Sequence, residues 1–77
     1  MVTPVRMPKL SPGVTEAMVV EWVKREKEIV KKGEPILIVE TEKVTIEIDA
    51  PSNGRLERIL VQEGSRARSL EEVAIIS

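Results

Sequence analysis

The 77-residue sequence contains no cysteine and no histidine, and Trp22 is its single aromatic residue. Without cysteine or histidine the chain has no thiol nucleophile, no imidazole base, no zinc site of the usual kind and no disulfide. We therefore do not expect an enzyme. With so few aromatics, a core must be built from Val, Ile and Leu, which favour β-strands.

An excess of charge of one sign is also absent, since twelve basic residues are balanced by thirteen acidic ones. Because there is also no aromatic cluster on which bases stack, nucleic acid is not an expected partner. No apolar run approaches the roughly 20 residues of a membrane span, and the N-terminus lacks a signal-peptide core. The composition predicts a soluble, intracellular chain with no membrane contact.

The length fits one domain covering residues 1–77, which we expect to be monomeric in isolation. A chain of this size buries only about 60% of the surface that it exposes when unfolded. It is too short to hold a catalytic core beside a carrier unit.

Residues 36–50 have the pattern of a β-hairpin. A short apolar run at 36–39 is followed by alternation of apolar and polar residues from Val44 to Ala50. If Glu42 and Lys43 are the two loop residues, the apolar faces of both strands coincide. The predicted cross-strand pairs are Thr41 with Val44, Val39 with Ile46 and Leu37 with Ile48.

The pair Glu42-Lys43 is unusual for a two-residue hairpin loop. Such loops favour Asn-Gly, Asp-Gly or Gly-Gly, because both residues need positive φ. One explanation is a more open type I turn that carries a solubilising lysine. The other is selection for the side chains themselves. A charged ammonium is a poor nucleophile, so Lys43 is a better candidate for enzymatic modification than for Schiff-base chemistry.

The rest of the chain also predicts short strands. Strands are expected at 1–7, 14–24, 29–30, 55–61 and 73–76, with a charged turn at 24–28 and a polar loop at 62–69 that contains a short extended piece. In the strand at 14–24, Met18, Val20 and Trp22 are predicted to share one face, with Trp22 as a core anchor. A helix at 21–32 is not favoured, because its apolar residues do not form one stripe.

An internal repeat is visible between the two halves of the chain. The segment VEWV at 20–23 parallels LERI at 56–59, and EPILIV at 34–39 parallels EEVAII at 71–76. The repeat predicts an all-β fold: a flattened β-sandwich or barrel of two antiparallel sheets with about four strands each, related by a pseudo-two-fold axis. The same symmetry places Lys43 at the end opposite the chain termini.

A series of motifs in one order covers nearly the whole chain. They are MPKLSP at 7–12, VEWV at 20–23, VKKGEPI at 30–36, ETEKV at 40–44, AP at 50–51, NG at 53–54 and ILVQEG at 59–64. In these motifs the chain resembles the lipoyl domain of the acyltransferase (E2) component of 2-oxo acid dehydrogenase complexes, within the biotinyl/lipoyl-attachment family. The resemblance implies lipoate joined to Lys43 as an amide, with Thr41, Glu42 and Val44 presenting the lysine or being recognised by the lipoylating enzyme.

The function implied by the resemblance is that of a swinging-arm carrier without catalysis of its own. A thiamine-diphosphate dehydrogenase (E1) reductively acylates the lipoyl group, the E2 core passes the acyl group to coenzyme A, and dihydrolipoyl dehydrogenase (E3) restores the disulfide. A lipoate ligase or lipoyl transferase attaches the cofactor. Such a domain is expected in the cytoplasm, or in the mitochondrial matrix of a eukaryote, as part of a longer E2. The motifs leave open which 2-oxo acid is served.

Four positions depart from the family pattern. Lys27, Ala17 and Leu70 stand where the family commonly has glycine, which often supplies positive φ, so the geometry of these loops is in question. Glu42 precedes the lysine where aspartate is usual.

Three other functions remain as alternatives. A biotin carrier shares the fold and the tip lysine, but usually flanks that lysine with methionines, whereas the neighbours here are Glu42 and Val44. The glycine-cleavage carrier is longer and has extra helical segments. An unmodified structural module of a membrane-fusion adaptor interrupts the hairpin with a long helical insertion, whereas residues 39–46 are continuous here.

Overall fold

A computed structural model describes residues 2–77 and forms eight β-strands, with no helix among those residues. The first strand, predicted at 1–7, begins at Thr3 in the structure. Met1, the first residue of that prediction, lies outside the described residues. Within residues 2–77 no helix is long and apolar enough to cross a membrane. The strands are β1 Thr3–Arg6, β2 Glu16–Trp22, β3 Ile29–Val30, β4 Pro35–Glu40, β5 Thr45–Asp49, β6 Gly54–Ile59, β7 Arg66–Arg68 and β8 Glu72–Ile76.

The strands form two four-stranded antiparallel sheets, as the repeat predicts. The first sheet has the order β1-β8-β6-β3 and the second has the order β5-β4-β2-β7. Each half of the chain contributes two strands to each sheet: β1 and β3 lie with β6 and β8, and β5 and β7 lie with β2 and β4. The fold class predicted from the sequence is confirmed.

The core between the sheets is entirely apolar among the residues that the structure describes. Its members are mainly Val, Ile, Leu and Ala, because the strands supply β-branched residues at alternate positions. Trp22 packs against this core from its edge, and its indole N–H donates to the carbonyl of Val61 at 2.8 Å. The indole is thus the expected anchor, although it is only partly buried.

The predicted inward face of β2 is wrong. Ala17 and Val19 are buried, whereas Met18 and Val20 are 36% and 41% exposed. A β-bulge between Val19 and Glu21 inserts one extra residue opposite β4 and shifts the alternation, so that Trp22 turns back toward the core. A prediction that continues the period-two alternation across a bulge assigns the residues on one side of the bulge to the wrong face of the sheet.

The pseudo-two-fold repeat is confirmed, with one correction to its register. The bulge of β2 at Val19/Glu21 has its counterpart in β6 at Leu56/Arg58. Val19 therefore corresponds to Leu56, whereas the repeat in the sequence predicts that Val20 does. The match of β4 with β8 needs no change, because each strand has two successive buried residues beside a bulge.

Carboxylates bind the backbone of β2 and β6 in the same symmetric way. Glu63 accepts a hydrogen bond from the Trp22 backbone N–H, and Glu26 accepts one from the Ile59 backbone N–H, both at 2.8 Å. Each amide lies beyond the residues that pair with the short strand β7 or β3, and a glutamate from the facing turn satisfies it.

Two of the positions that depart from the family pattern adopt left-handed backbone conformations. Lys27 has φ of 78° and Leu70 has φ of 67°. Their symmetry counterparts are Gly64 and Gly33, both with φ of 88°. The loops therefore keep the geometry that glycine favours although larger residues occupy them. Ala17, the third position, is buried in β2 opposite Ala67.

Candidate functional site

The hairpin formed by β4 and β5 has the predicted register. Glu40 pairs with Thr45, Val39 with Ile46 and Leu37 with Ile48. The Thr41 backbone N–H donates to the Val44 carbonyl at 2.9 Å, which closes a loop of two residues, Glu42 and Lys43. Neither loop residue has positive φ. The tip is thus not one of the glycine-requiring hairpin turns.

The side chain of Thr41 stabilises this loop, which contains neither glycine nor asparagine. Its Oγ1 accepts hydrogen bonds from the backbone N–H groups of Lys43 at 3.2 Å and of Val44 at 3.1 Å. Threonine and serine hydroxyls stabilise turns in this way by replacing a backbone acceptor. One hydroxyl therefore orients two successive amides at the tip, including that of the candidate lysine.

Lys43 is exposed at the tip, and within residues 2–77 its ammonium makes no ion pair or side-chain hydrogen bond. Lys9, Lys31 and Lys32 are also exposed and unpaired in that part of the chain. Lys43 differs from them in its place at the end of a two-residue hairpin loop, where the backbone on both sides is fixed by hydrogen bonds. Its side chain is therefore open to solvent at a backbone position that is fixed.

Four hollows surround the tip, and two of them differ most in character. The apolar hollow has a volume of about 210 Å³ and is formed chiefly by Leu10, Pro12, Val14, Lys43, Val44 and Ile46. The acidic hollow has a volume of about 320 Å³ and is formed chiefly by Glu16, Met18, Glu40, Glu42 and Arg66. In the acidic hollow Arg66 donates to Glu16 at 3.0 Å. Lys43 itself lines the apolar hollow.

The sequence did not indicate that the 10–14 loop and Arg66 lie beside the tip. The loop follows β1 in the first sheet, and Arg66 lies on β7, which pairs with β2 so that Met18 is opposite Arg66. The motif at 7–12 contributes to the family resemblance but gives no indication of this position in the fold. No local pattern predicts these contacts, because they depend on strands from two halves of the chain.

Another surface hollow lies away from the tip, with a volume of about 660 Å³ beside Trp22, Ile59, Glu26 and Glu63. Its two glutamates accept the hydrogen bonds of the Trp22 and Ile59 amides, which explains their presence without a ligand. Within residues 2–77 no group of three or more acidic, cysteine or histidine side chains is arranged to hold a metal ion.

Two carboxyl groups away from the tip have perturbed acidity. A hydrogen bond from the Lys31 backbone N–H, helped by the Lys24 ammonium at 3.3 Å, lowers the pKa of Glu34 from its ordinary value of 4.5. The Ser77 hydroxyl at 2.6 Å, followed by the Lys27 ammonium at 2.9 Å, lowers the pKa of Glu57. Glu34 lies in the turn before β4, and Glu57 lies on β6.

A family model for biotin and lipoyl attachment, described as biotin-requiring enzyme, matches residues 3–76. The succinyltransferase component of the 2-oxoglutarate dehydrogenase complex from Rickettsia bellii is 39% identical over 71 residues, which are 92% of this chain and 18% of that protein. An Arabidopsis thaliana acetyltransferase component of the mitochondrial pyruvate dehydrogenase complex is also 39% identical over 71 residues. The match covers 13% of its length. The chain thus spans less than a fifth of these curated relatives.

Solved structures support the same relationship. The lipoyl domain of the 2-oxoglutarate dehydrogenase complex from Azotobacter vinelandii aligns with a TM-score of 0.74 and 27% identity, over 95% of both chains. The Kluyveromyces lactis urea carboxylase aligns with a TM-score of 0.84 over all of this chain and 6% of that one. At 18% identity the second likeness concerns the fold alone.

Proposed function

The chain belongs to the biotin/lipoyl-attachment family, and we propose that residues 1–77 form a lipoyl carrier domain in which Lys43 holds lipoate as an amide. The observation that supports this proposal is the unpaired, exposed amine of Lys43 at the tip of the two-residue loop. The E2 relatives and the lipoyl-domain structure favour lipoate over biotin as the group attached. So do the neighbours of the lysine, Glu42 and Val44, where biotin carriers usually have methionines.

The residues at the tip fit a lipoyl group. Its amide needs an accessible amine, and its hydrocarbon portion meets an apolar flank at Val44 and the neighbouring hollow. Amide formation removes one positive charge, which changes the net charge of the chain from −1 to −2. When bound, lipoate supplies a disulfide that accepts an acyl group together with two electrons.

This chain contributes presentation rather than catalysis. Thr41 orients the backbone at the tip, while the two sheets give the hairpin a rigid base. A tethered group visits successive active sites at a high effective concentration, because it does not diffuse away between them. The acidic residues near the tip, Glu40, Glu42 and Glu47, supply a charged surface that steers partner enzymes.

The partners that we propose are the E1 and E3 enzymes of a 2-oxo acid dehydrogenase complex, the catalytic core of an E2 chain and a lipoate ligase or lipoyl transferase. The names of the relatives support membership of such a complex, and they include both succinyl- and acetyltransferase components. We accordingly propose that the domain works in the bacterial cytoplasm or the mitochondrial matrix. Because the relatives include both kinds of component, the proposal does not specify which 2-oxo acid is the substrate.

Mass spectrometry after incubation with lipoate, ATP and a lipoate ligase tests the proposal. We expect one lipoyl group per chain, mapped by peptide analysis to Lys43. The variant Lys43→Arg should remain unmodified, whereas Lys32→Arg, which replaces another exposed and unpaired lysine, should be modified as the wild type is. Modification at other lysines, or none at all, would contradict the proposal.

Biotin is the second candidate, because the matching family model is described as biotin-requiring enzyme. A parallel reaction with a biotin ligase distinguishes the two groups. We expect no biotin on Lys43. Biotin at this position in preference to lipoate would replace the lipoyl assignment with that of a biotin carrier.

A further inference from the structure

The apolar and acidic hollows beside the hairpin tip provide different surroundings for anything attached to Lys43. The apolar hollow offers hydrocarbon side chains from Leu10, Val14, Val44 and Ile46, whereas the acidic hollow offers three carboxylates around Arg66. Lys43 does not line the acidic hollow; it lines the apolar hollow and a third, polar hollow at the tip. The apolar hollow is the one of these that suits an uncharged arm beginning at this lysine.

The apolar hollow is held in shape before any group is attached. Leu10 is buried in the core, and its backbone N–H donates to the Ser69 hydroxyl at 3.2 Å. The Val14 backbone N–H donates to the Ser11 carbonyl at 2.9 Å, which closes the turn of the 10–14 loop. On the opposite wall, Val44 and Ile46 are held by the hairpin ladder. Little ordering of the protein is needed for a group to enter.

The size and the lining of the hollow suit a small apolar group rather than a polar ligand. Its volume of about 210 Å³ lies below the roughly 300 Å³ at which pockets for drug-sized ligands begin. Val44 is 53% exposed and Pro12 is exposed, so the hollow presents apolar surface that nothing in residues 2–77 covers. A short methylene chain that ends in a five-membered disulfide ring is of this kind.

We propose that the lipoyl arm on Lys43 docks in the apolar hollow between the 10–14 loop and the hairpin. The inference rests on the proposed function, because the occupant is the group attached to Lys43. Burial of the methylenes and the ring removes apolar surface from water, while the loss of chain freedom opposes docking. The docked and free arms therefore exchange, and the dithiolane is partly shielded between visits to partner enzymes.

Nuclear magnetic resonance of the chain, with lipoate on Lys43 verified by mass, tests the docking. Compared with the unmodified chain, we expect methyl shifts at Leu10, Val14 and Ile46, and nuclear Overhauser effects between these methyls and the ring protons. The variant Val44→Thr keeps a β-branched residue but makes the wall polar, and it should weaken both signals. Met18→Thr, the matched change in the acidic hollow, should leave them unchanged.

Alkylation of the reduced arm gives a second measurement. If the arm is docked for half of the time or more, its thiols should react at least about twofold more slowly in the wild type than in Val44→Thr. Lipoylated chain with no contacts to the 10–14 loop and equal alkylation rates would overturn the docking alone. Contacts to Met18 instead would overturn it as well. Failure of the ligase to modify Lys43 would overturn the proposed function and the docking together.

Discussion

Thr41 and Lys43 have distinct tasks at the hairpin tip. Lys43 provides an unpaired amine, whereas Thr41 fixes the backbone that presents it through hydrogen bonds to the amides of Lys43 and Val44. A glutamate and a lysine are poor residues for a tight hairpin loop, so the hydroxyl compensates for them. The backbone geometry at the lysine thus depends on the hydroxyl of a neighbouring residue.

Replacement of Thr41 should affect modification more than folding. Thr41→Val keeps the shape of the side chain but removes the acceptor of two hydrogen bonds, which water can partly replace because the tip is exposed. We expect the initial rate of lipoylation at Lys43 to fall about fivefold, while global stability changes by less than about 1 kcal/mol. Thr41→Ser retains the hydroxyl and should lipoylate at close to the wild-type rate.

Initial rates measured by mass spectrometry, together with amide relaxation at Lys43 and Val44, check this prediction. Faster motion of both amides in Thr41→Val, but not in Thr41→Ser, would identify loss of orientation as the cause. A wild-type rate in Thr41→Val would show that the hydroxyl does not present the lysine.

At the scale of the elements, the turns at Lys27 and Leu70 show where geometry prevails over residue type. Both adopt positive φ, and both have a glycine as their symmetry counterpart. The backbone hydrogen bonds of the turns are also equivalent: Lys27 N–H donates to the Leu56 carbonyl at 2.7 Å, and Gly64 N–H donates to the Val19 carbonyl at 2.8 Å. The sheets therefore impose one turn shape on unlike residues.

Leu70→Gly should stabilise the chain. A left-handed conformation costs a non-glycine residue roughly 1–2 kcal/mol, part of which is offset by the greater freedom of glycine in the unfolded chain. We expect a gain of about 0.5–1 kcal/mol in the free energy of unfolding, measured by urea denaturation. The Leu70 side chain is 57% exposed, so little packing is lost.

The reverse change at the symmetry-related position is the control. Gly33→Ala should lower the free energy of unfolding by about 1 kcal/mol, because alanine must adopt positive φ there. A Leu70→Gly chain less stable than the wild type would mean that contacts of the leucine outweigh the backbone strain.

At the scale of the whole molecule, the sharing of strands between the sheets joins the two halves into one unit. Each sheet contains two strands from each half, and the core lies between the sheets. Neither half can complete its sheet alone. This arrangement also relates the hairpin tip to the chain termini by the pseudo-two-fold axis. The tip lies beside the 10–14 loop, whereas Ser77 pairs with Arg55.

Unfolding should therefore be a single cooperative transition. Fluorescence of Trp22, which lies in the first half, and far-ultraviolet circular dichroism, which reports on all strands, should give coincident urea curves. A peptide of residues 1–40 should remain unfolded, because β2 and β4 would lack β7 and β5. Separate transitions, or a folded peptide, would show that the halves are independent.

The two perturbed carboxyl groups predict how stability depends on pH. Glu34 and Glu57 each have a folded-state pKa below the ordinary value of 4.5. A carboxyl with a lowered pKa stabilises the fold above its unfolded value, and this contribution is lost as the pH falls through the folded value. Stability should thus be retained at neutral pH and decline in acid.

Urea denaturation from about pH 7 down to about pH 3 checks the expectation in acid. The double variant Glu34→Gln/Glu57→Gln should lose less stability over this range than the wild type does. The exposed Glu47 has no hydrogen bond or ion pair within residues 2–77, so Glu47→Gln is the control. An equal loss in the double variant and the wild type would show that these two carboxyl groups do not govern the acid response.

Much of this structure follows from the sequence, because short-range patterns carry it. The alternation in residues 36–50 determined the hairpin register and the loop at Glu42 and Lys43, since a slip by one residue would oppose apolar to charged positions. The repeat determined the two sheets and their symmetry. That Lys43 is the attachment site remains a prediction from the resemblance and the position of the lysine.

The tertiary structure decided what those patterns do not contain. Bulges changed which residues of β2 face the core, because one inserted residue reverses the alternation and leaves no local signal. The surroundings of Lys43 likewise come from the 10–14 loop and from Arg66 on β7, which are distant in sequence. The sharing of strands between the sheets brings them to the tip. The sequence by itself determined where the lysine is presented, and only the packing of the two halves decided what lies beside it.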